Sequence, residues 1–126
     1  MKTKIVIFLS IAMIAFSCKT SKNNQKSVSP DTYRLIVSFI SKGQGVDKTT
    51  FNAFESLIVT FNEKNNVKLV YDKYTWGKEG EFDCCFKMND VKKGKQEDFV
   101  TAVKNVTKNS TSVIIKENEV CSHKSK

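Results

Sequence analysis

The side chains able to do chemistry are few and spread along the chain: Cys18, Cys84, Cys85 and Cys121, a single histidine, His123, and a short acidic group, Glu79, Glu81 and Asp83. A redox centre of the Cys-x-x-Cys type needs two intervening residues, and adjacent cysteines do not reproduce its geometry. Metal binding needs ligands converging from several segments, whereas His123 lies in a Lys/Ser tail that would have to rearrange to meet Cys85 and Cys121. That histidine would also be the base of any Cys-His or Ser-His nucleophile, so no catalytic residues, metal or cofactor are expected. Paired carboxylates can run acid/base chemistry, but strand alternation sets Glu81 and Asp83 on a solvated face beside Lys87, which reads as a charged rim. Gly43-Gln44-Gly45 precedes a helix and lacks the Gly-Lys-Ser/Thr that would make it a phosphate loop, so it reads as a turn. Asn105-Val106-Thr107 and Asn109-Ser110-Thr111 fit the glycosylation pattern, a short match that carries little weight by itself.

The remaining cysteine, Cys18, closes a leader. Lys2 and Lys4 precede the apolar run Ile5 to Ala15, and Ala15-Phe16-Ser17-Cys18 follows. A basic start, a short apolar stretch and a small-residue exit are the parts of a secretory signal. The run of roughly a dozen residues is too short for a bilayer-spanning helix, which needs about 20. Ala15-Phe16-Ser17-Cys18 resembles the lipobox of bacterial lipoproteins, with Ala15 where that family usually has Leu and Phe16 where it usually has a small residue. The resemblance implies cleavage before Cys18 and acylation of its sulfur and new amino group, with membrane lipid as the first partner. Lys19 follows where the enteric sorting rule would want Asp for retention at the inner membrane, so the resemblance implies an outer-membrane, periplasm-facing address.

Removing residues 1–17 leaves 109 residues, enough for one small core. Export puts the thiols in an oxidising compartment, and acylation of Cys18 leaves Cys84, Cys85 and Cys121, an odd number. Neighbours on a strand point opposite ways, which buries Cys84 and displays Cys85. A vicinal Cys84–Cys85 bond would strain its peptide. A bond from Cys121 to one of the pair requires the chain end to swing across the sheet, because the last strand lies two places, roughly 9–10 Å, from the strand that bears them.

The formal charge of +8 is peripheral: between Thr32 and Cys121 there are 14 basic and 12 acidic residues, a net of +2, and the excess sits in the leader, in Lys19, Lys22 and Lys26, and in the tail. Basic residues beside an acylated cysteine suit anionic headgroups or simply keep a tether solvated. Nucleic acid is not an expected partner. Residues 18–31 read as a lipidated cysteine and flexible polar tether, 32–121 as one domain, and 122–126 as a disordered basic tail.

Within the domain, Tyr33 to Ile40 alternate as a strand. Asp47 caps a helix whose Phe51, Phe54, Leu57, Ile58 and Phe61 share one face, and Asn65-Asn66 ends it. Val67 to Asp72 and Phe82 to Met88 alternate around Gly77 and Gly80 as a hairpin, about Lys95 to Lys108 form a second helix, and Val113 to Ile115 a last strand. This βαββαβ order resembles the ferredoxin-like α+β fold, which implies a four-stranded antiparallel sheet of order 4-1-3-2 with both helices on one face.

Pleating turns Leu35, Val37, Phe39, Leu69, Tyr71, Phe82, Cys84, Phe86, Val113 and Ile115 toward the helices. It turns Arg34, Ile36, Ser38, Ile40, Val70, Asp72, Tyr74, Glu81, Asp83, Cys85, Lys87, Ile114 and Lys116 to the open side. There Ile36, Ile40, Val70 and Ile114, with Tyr74 and Trp76, form an apolar patch of the size that suits a partner. The reading is of a non-enzymatic lipoprotein that docks an envelope protein or a second copy through this face. A second reading is a thiol-dependent redox or soft-metal trapping role through Cys85 and Cys121. A fold of this kind hosts many functions and chooses between neither.

Overall fold

A computed structural model describes residues 29–124. The signal segment, Cys18 and most of the tether lie outside the described residues. In chain order the elements are β1 (Thr32–Phe39), α1 (Lys48–Asn65), β2 (Asp72–Thr75), β3 (Phe82–Phe86), α2 (Lys93–Thr107) and β4 (Val113–Val120). The sheet order is β2-β3-β1-β4 and every neighbouring pair is antiparallel, so the chain has the expected ferredoxin-like βαββαβ arrangement. Among the described residues no helix is long and apolar enough to cross a membrane.

Asp47 starts α1 as expected. Its carboxylate accepts the Thr50 N–H at 2.9 Å and the Thr50 hydroxyl at 2.7 Å, and it also accepts the Ser110 hydroxyl at 2.8 Å, which ties the helix to the turn before β4. These bonds, first the Thr50 N–H, hold the Asp47 carboxyl below the usual carboxylate range. A lowered folded-state pKa means stability that is present above the unfolded-state value and fades as pH falls through the folded one. Asp47→Ala is therefore expected to cost about 1 kcal/mol at neutral pH and progressively less on acidification, as urea unfolding across a pH series would show. At the other end, Asn66 takes a left-handed φ of 49° and returns its N–H to Asn62.

The apolar periodicities meet in one core between sheet and helices. Leu35, Val37, Phe39, Phe54, Phe86, Phe99 and Val103 are fully enclosed, with Tyr71, Val113 and Ile115 packed at its margin. Phe39 stacks on Phe82 and meets Phe51 and Phe54, so α1 is fixed to the sheet by an aromatic cluster.

The largest differences from the periodicity are at two strand boundaries, and β3 also ends at Phe86 rather than Met88. Residues 67–71 alternate but form no strand, because the Asn62 side chain both accepts the Leu69 N–H (2.8 Å) and donates to the Leu69 carbonyl (3.2 Å). Continuing the β2–β3 register would also pair Leu69 with Met88, whose φ of 59° turns the chain away at the end of β3. β2 is consequently displaced to Asp72–Thr75. β4 runs five residues past Ile115, since Lys116, Glu117, Glu119 and Val120 pair with the first half of β1, Thr32 to Ile36. Four of those five residues are polar, so sequence alternation had nothing there to follow.

The pleat also slips once. Arg34, expected on the open side, bonds Glu117 at 2.7 Å, and Glu117 also receives Lys104 of α2. Tyr33, its neighbour, packs instead with Ile36 on the open side. The slip lies opposite Asn118, whose φ is 55°.

Candidate functional site

The open side of the sheet is not open throughout. After β4 the chain turns back over it, and Cys121 bonds Cys85 of β3 with their Cα atoms 6.3 Å apart. This is the swing that the 4-1-3-2 order demands, since β1 lies between the two strands. A second, smaller core forms beneath it from Tyr33, Ile36, Cys85 and Cys121, with Tyr74 at its edge. Cys85 and Ile36, expected on display, are 1% and 2% exposed.

The tail beyond Cys121 is packed rather than loose. His123 stacks on Trp76, ring centres 4.2 Å apart and planes 16° from parallel, and its Nδ1 lies 2.6 Å from an oxygen of Asp83. The other Asp83 oxygen accepts the Trp76 indole N–H at 3.1 Å. Asp83, assigned by alternation to a solvated rim, is 2% exposed: two donors on one carboxylate satisfy the charge that burial would otherwise penalise. Lys124 reaches Asp31 at 3.3 Å, joining the tail to the residue just before β1. Residues 122–124 thus belong to the folded body, as do residues 29–31, where Lys87 donates to the Pro30 carbonyl.

Below this cluster, the Tyr33 hydroxyl donates to Asp72 at 2.9 Å and lies 3.4 Å from the Tyr74 hydroxyl; burial, then these neighbours, raises its pKa. Asp83, Cys85 and Cys121 present ligand atoms within 4.8 Å of one another, and His123 adjoins them through Asp83. The histidine that the sequence leaves in a tail is thus brought to Asp83, the neighbour of the two cysteines. One signal pointed there: Asp83-x-Cys85 and Cys121-x-His123 repeat the same spacing.

Cys84 faces the helices, free and fully buried, and burial pushes its thiol up to about 12, so it stays protonated. The N-terminus of α1 is already occupied by Asp47, which leaves the Gly43-Gln44-Gly45 turn no role as an anion cradle.

The expected patch is divided. Ile36 is covered and Ile40 and Tyr74 are half-buried, while Val70, Ile114 and Trp76 are 65%, 43% and 36% exposed, joined by Val120 at 52%. Val70 lies in the segment before β2, beside a groove of about 220 Å³ lined by residues 68–72 and 87–91 with Cys85. Compared with protein-family models, with curated proteins and with solved structures, the chain matches none.

Proposed function

We propose that this chain is a lipid-anchored envelope lipoprotein, held in the membrane through acylated Cys18 and facing the periplasm, that works as a non-enzymatic docking module for an envelope protein or a second copy. The signal segment ending in Cys18 supports the anchoring. The docking reading rests on one observation: of the large apolar side chains that stay exposed on the domain, Val70, Trp76, Ile114 and Val120 belong to the sheet and its connections, and Val59 alone lies on a helix. The non-enzymatic reading is supported by the state of the thiols, one buried and protonated and two bonded to each other.

Charges at Val70 and Ile114, as the double variant Val70→Lys/Ile114→Lys, test the docking surface. Surface changes of this kind alter stability by about 0.5 kcal/mol or less, so the fold is expected to survive while partner recovery from cross-linked envelopes is lost. Unchanged recovery contradicts the docking reading.

The second reading, a thiol-dependent redox or soft-metal role through Cys85 and Cys121, is favoured by the placement of Asp83 beside the two sulfurs and of His123 against Asp83.

A further inference from the structure

We propose that Asp83, Cys85, Cys121 and His123 form a binding site for a zinc-class divalent ion that becomes available when the Cys85–Cys121 bond is reduced, so that the tail is fastened to the sheet either by that bond or by the metal. The inference deepens the thiol-dependent reading and is independent of the docking surface.

Strand geometry supplies half of the site. Asp83 and Cys85 are two residues apart on β3 and therefore project from the same side of the sheet. Cys121 and His123 repeat that spacing on the segment that crosses over them. The Asp83 carboxylate oxygen and both sulfurs already lie within 4.8 Å of one another, and the His123 Nδ1 is 2.6 Å from the Asp83 oxygen that faces it. Two thiolates, an imidazole and a carboxylate are ligands that zinc takes in a tetrahedron. With metal–sulfur distances of about 2.3 Å and metal–nitrogen or metal–oxygen distances of about 2.0–2.2 Å, neighbouring ligand atoms would be roughly 3.3–3.8 Å apart. Asp83, Cys85 and Cys121 already lie near that spread, and His123 completes the set once its Nδ1 turns from Asp83 toward the ion.

The surroundings are those of a supported site. Trp76 holds the second Asp83 oxygen through its indole N–H and the His123 ring by stacking, so both the carboxylate and the imidazole are oriented before any ion arrives. Asp83, Cys85 and Cys121 are all at most 2% exposed, so the ligands stand in a dry environment with the half-exposed His123 at its mouth.

Bond and ion exclude each other, because two sulfurs joined covalently cannot both act as thiolate ligands. A dithiol reductant would deliver two electrons and two protons to the Cys85–Cys121 bond and leave as its own disulfide. The ion then displaces the two thiol protons, which pass to water, and the thiolates with the Asp83 carboxylate more than balance its two positive charges.

The test is titration with Co(II), an optical stand-in for zinc, of the full mature chain purified from membranes in detergent and reduced without oxygen. The expected result is one Co(II) per chain, with a thiolate-to-cobalt charge-transfer band and the strong visible bands of a tetrahedral ion, all lost when Zn(II) is added and absent from the oxidised protein. Trp76→Phe, which keeps every ligand, is expected to weaken binding about 10- to 100-fold. His123→Ala, which keeps both cysteines and the core, is expected to weaken it more. Reduced protein that takes up no Co(II), although alkylation shows Cys85 and Cys121 freed, overturns the metal site and leaves a redox role standing. Uptake unaffected by His123→Ala overturns the site as adventitious thiol binding. A Cys85–Cys121 bond that resists reduction in the folded protein overturns both the site and the thiol-dependent reading.

Discussion

Cys121→Ser should lower the unfolding free energy by about 3 kcal/mol and free the chain end without dissolving the fold. The bond it removes joins residues 36 apart, and a cross-link of that span withdraws conformational entropy from the unfolded chain on this scale. The local effect comes from packing. Cys121 covers Tyr33, Ile36 and Cys85, and the residue two places on brings the His123 ring to Trp76. Loss of the bond should therefore open the His123–Trp76 stack, change the emission of the chain's only tryptophan and expose Cys85 to alkylation. The helix-side core shares no residue with this smaller one, so helical dichroism should persist. Urea unfolding with a tryptophan readout measures both effects. A Cys121→Ser protein as stable as the parent would contradict the tail's role as a fastening.

The second large effect is expected at Phe86, on the helix side of the same strand. Its ring is fully buried and meets Phe54 of α1 at 6.0 Å, Tyr71 at 5.2 Å and Phe99 of α2 at 5.4 Å between centres, so it joins both helices to the sheet. Removing it leaves a cavity that none of these rings can fill without leaving another. Phe86→Ala should cost about 3–5 kcal/mol, a large share of the roughly 5–15 kcal/mol that separates folded from unfolded states in domains of this kind. The two losses should add in the double variant, since the residues act in different cores. A strong departure from additivity would show that the tail and the helix-side core unfold together.

These two residues show how much of the fold was legible in the chain. Phe86 lies in the alternating run Phe82, Cys84, Phe86, and period-two patterning assigns it, with Leu35, Val37 and Phe39, to the helix side, where each is found. The Asp47 cap and the Asn65-Asn66 stop likewise come from local chemistry, which a sequence displays directly. The open side was legible only in part. Alternation places Ile36, Asp83 and Cys85 on it but cannot say that four polar residues carry β4 on to Val120 and launch the tail back across the sheet. That path turns a displayed thiol into a buried bond and a rim carboxylate into a buried acceptor for Trp76 and His123. Where Val67 to Tyr71 alternate without forming a strand, a single side chain, Asn62, outcompetes the pattern by taking both the donor and the acceptor of Leu69.

The placement of the tail gives the proposed module a consistent arrangement. Lys124 bonds Asp31, the residue just before β1, so the chain end is fastened beside the start of the first strand. Ile114 and Val120 are the exposed apolar residues of β4, which is an edge strand of the sheet.

Peptide mapping by mass spectrometry, on protein extracted from its native membrane in the presence of an alkylating agent, bears hardest on these proposals. The expected map shows a mature chain that begins at Cys18 with acyl groups on that residue, a Cys85–Cys121 linked peptide, and a Cys84 that is alkylated only after unfolding. A Cys18 peptide without any lipid, or still joined to the residues before it, would contradict the anchored module on which the functional proposal rests.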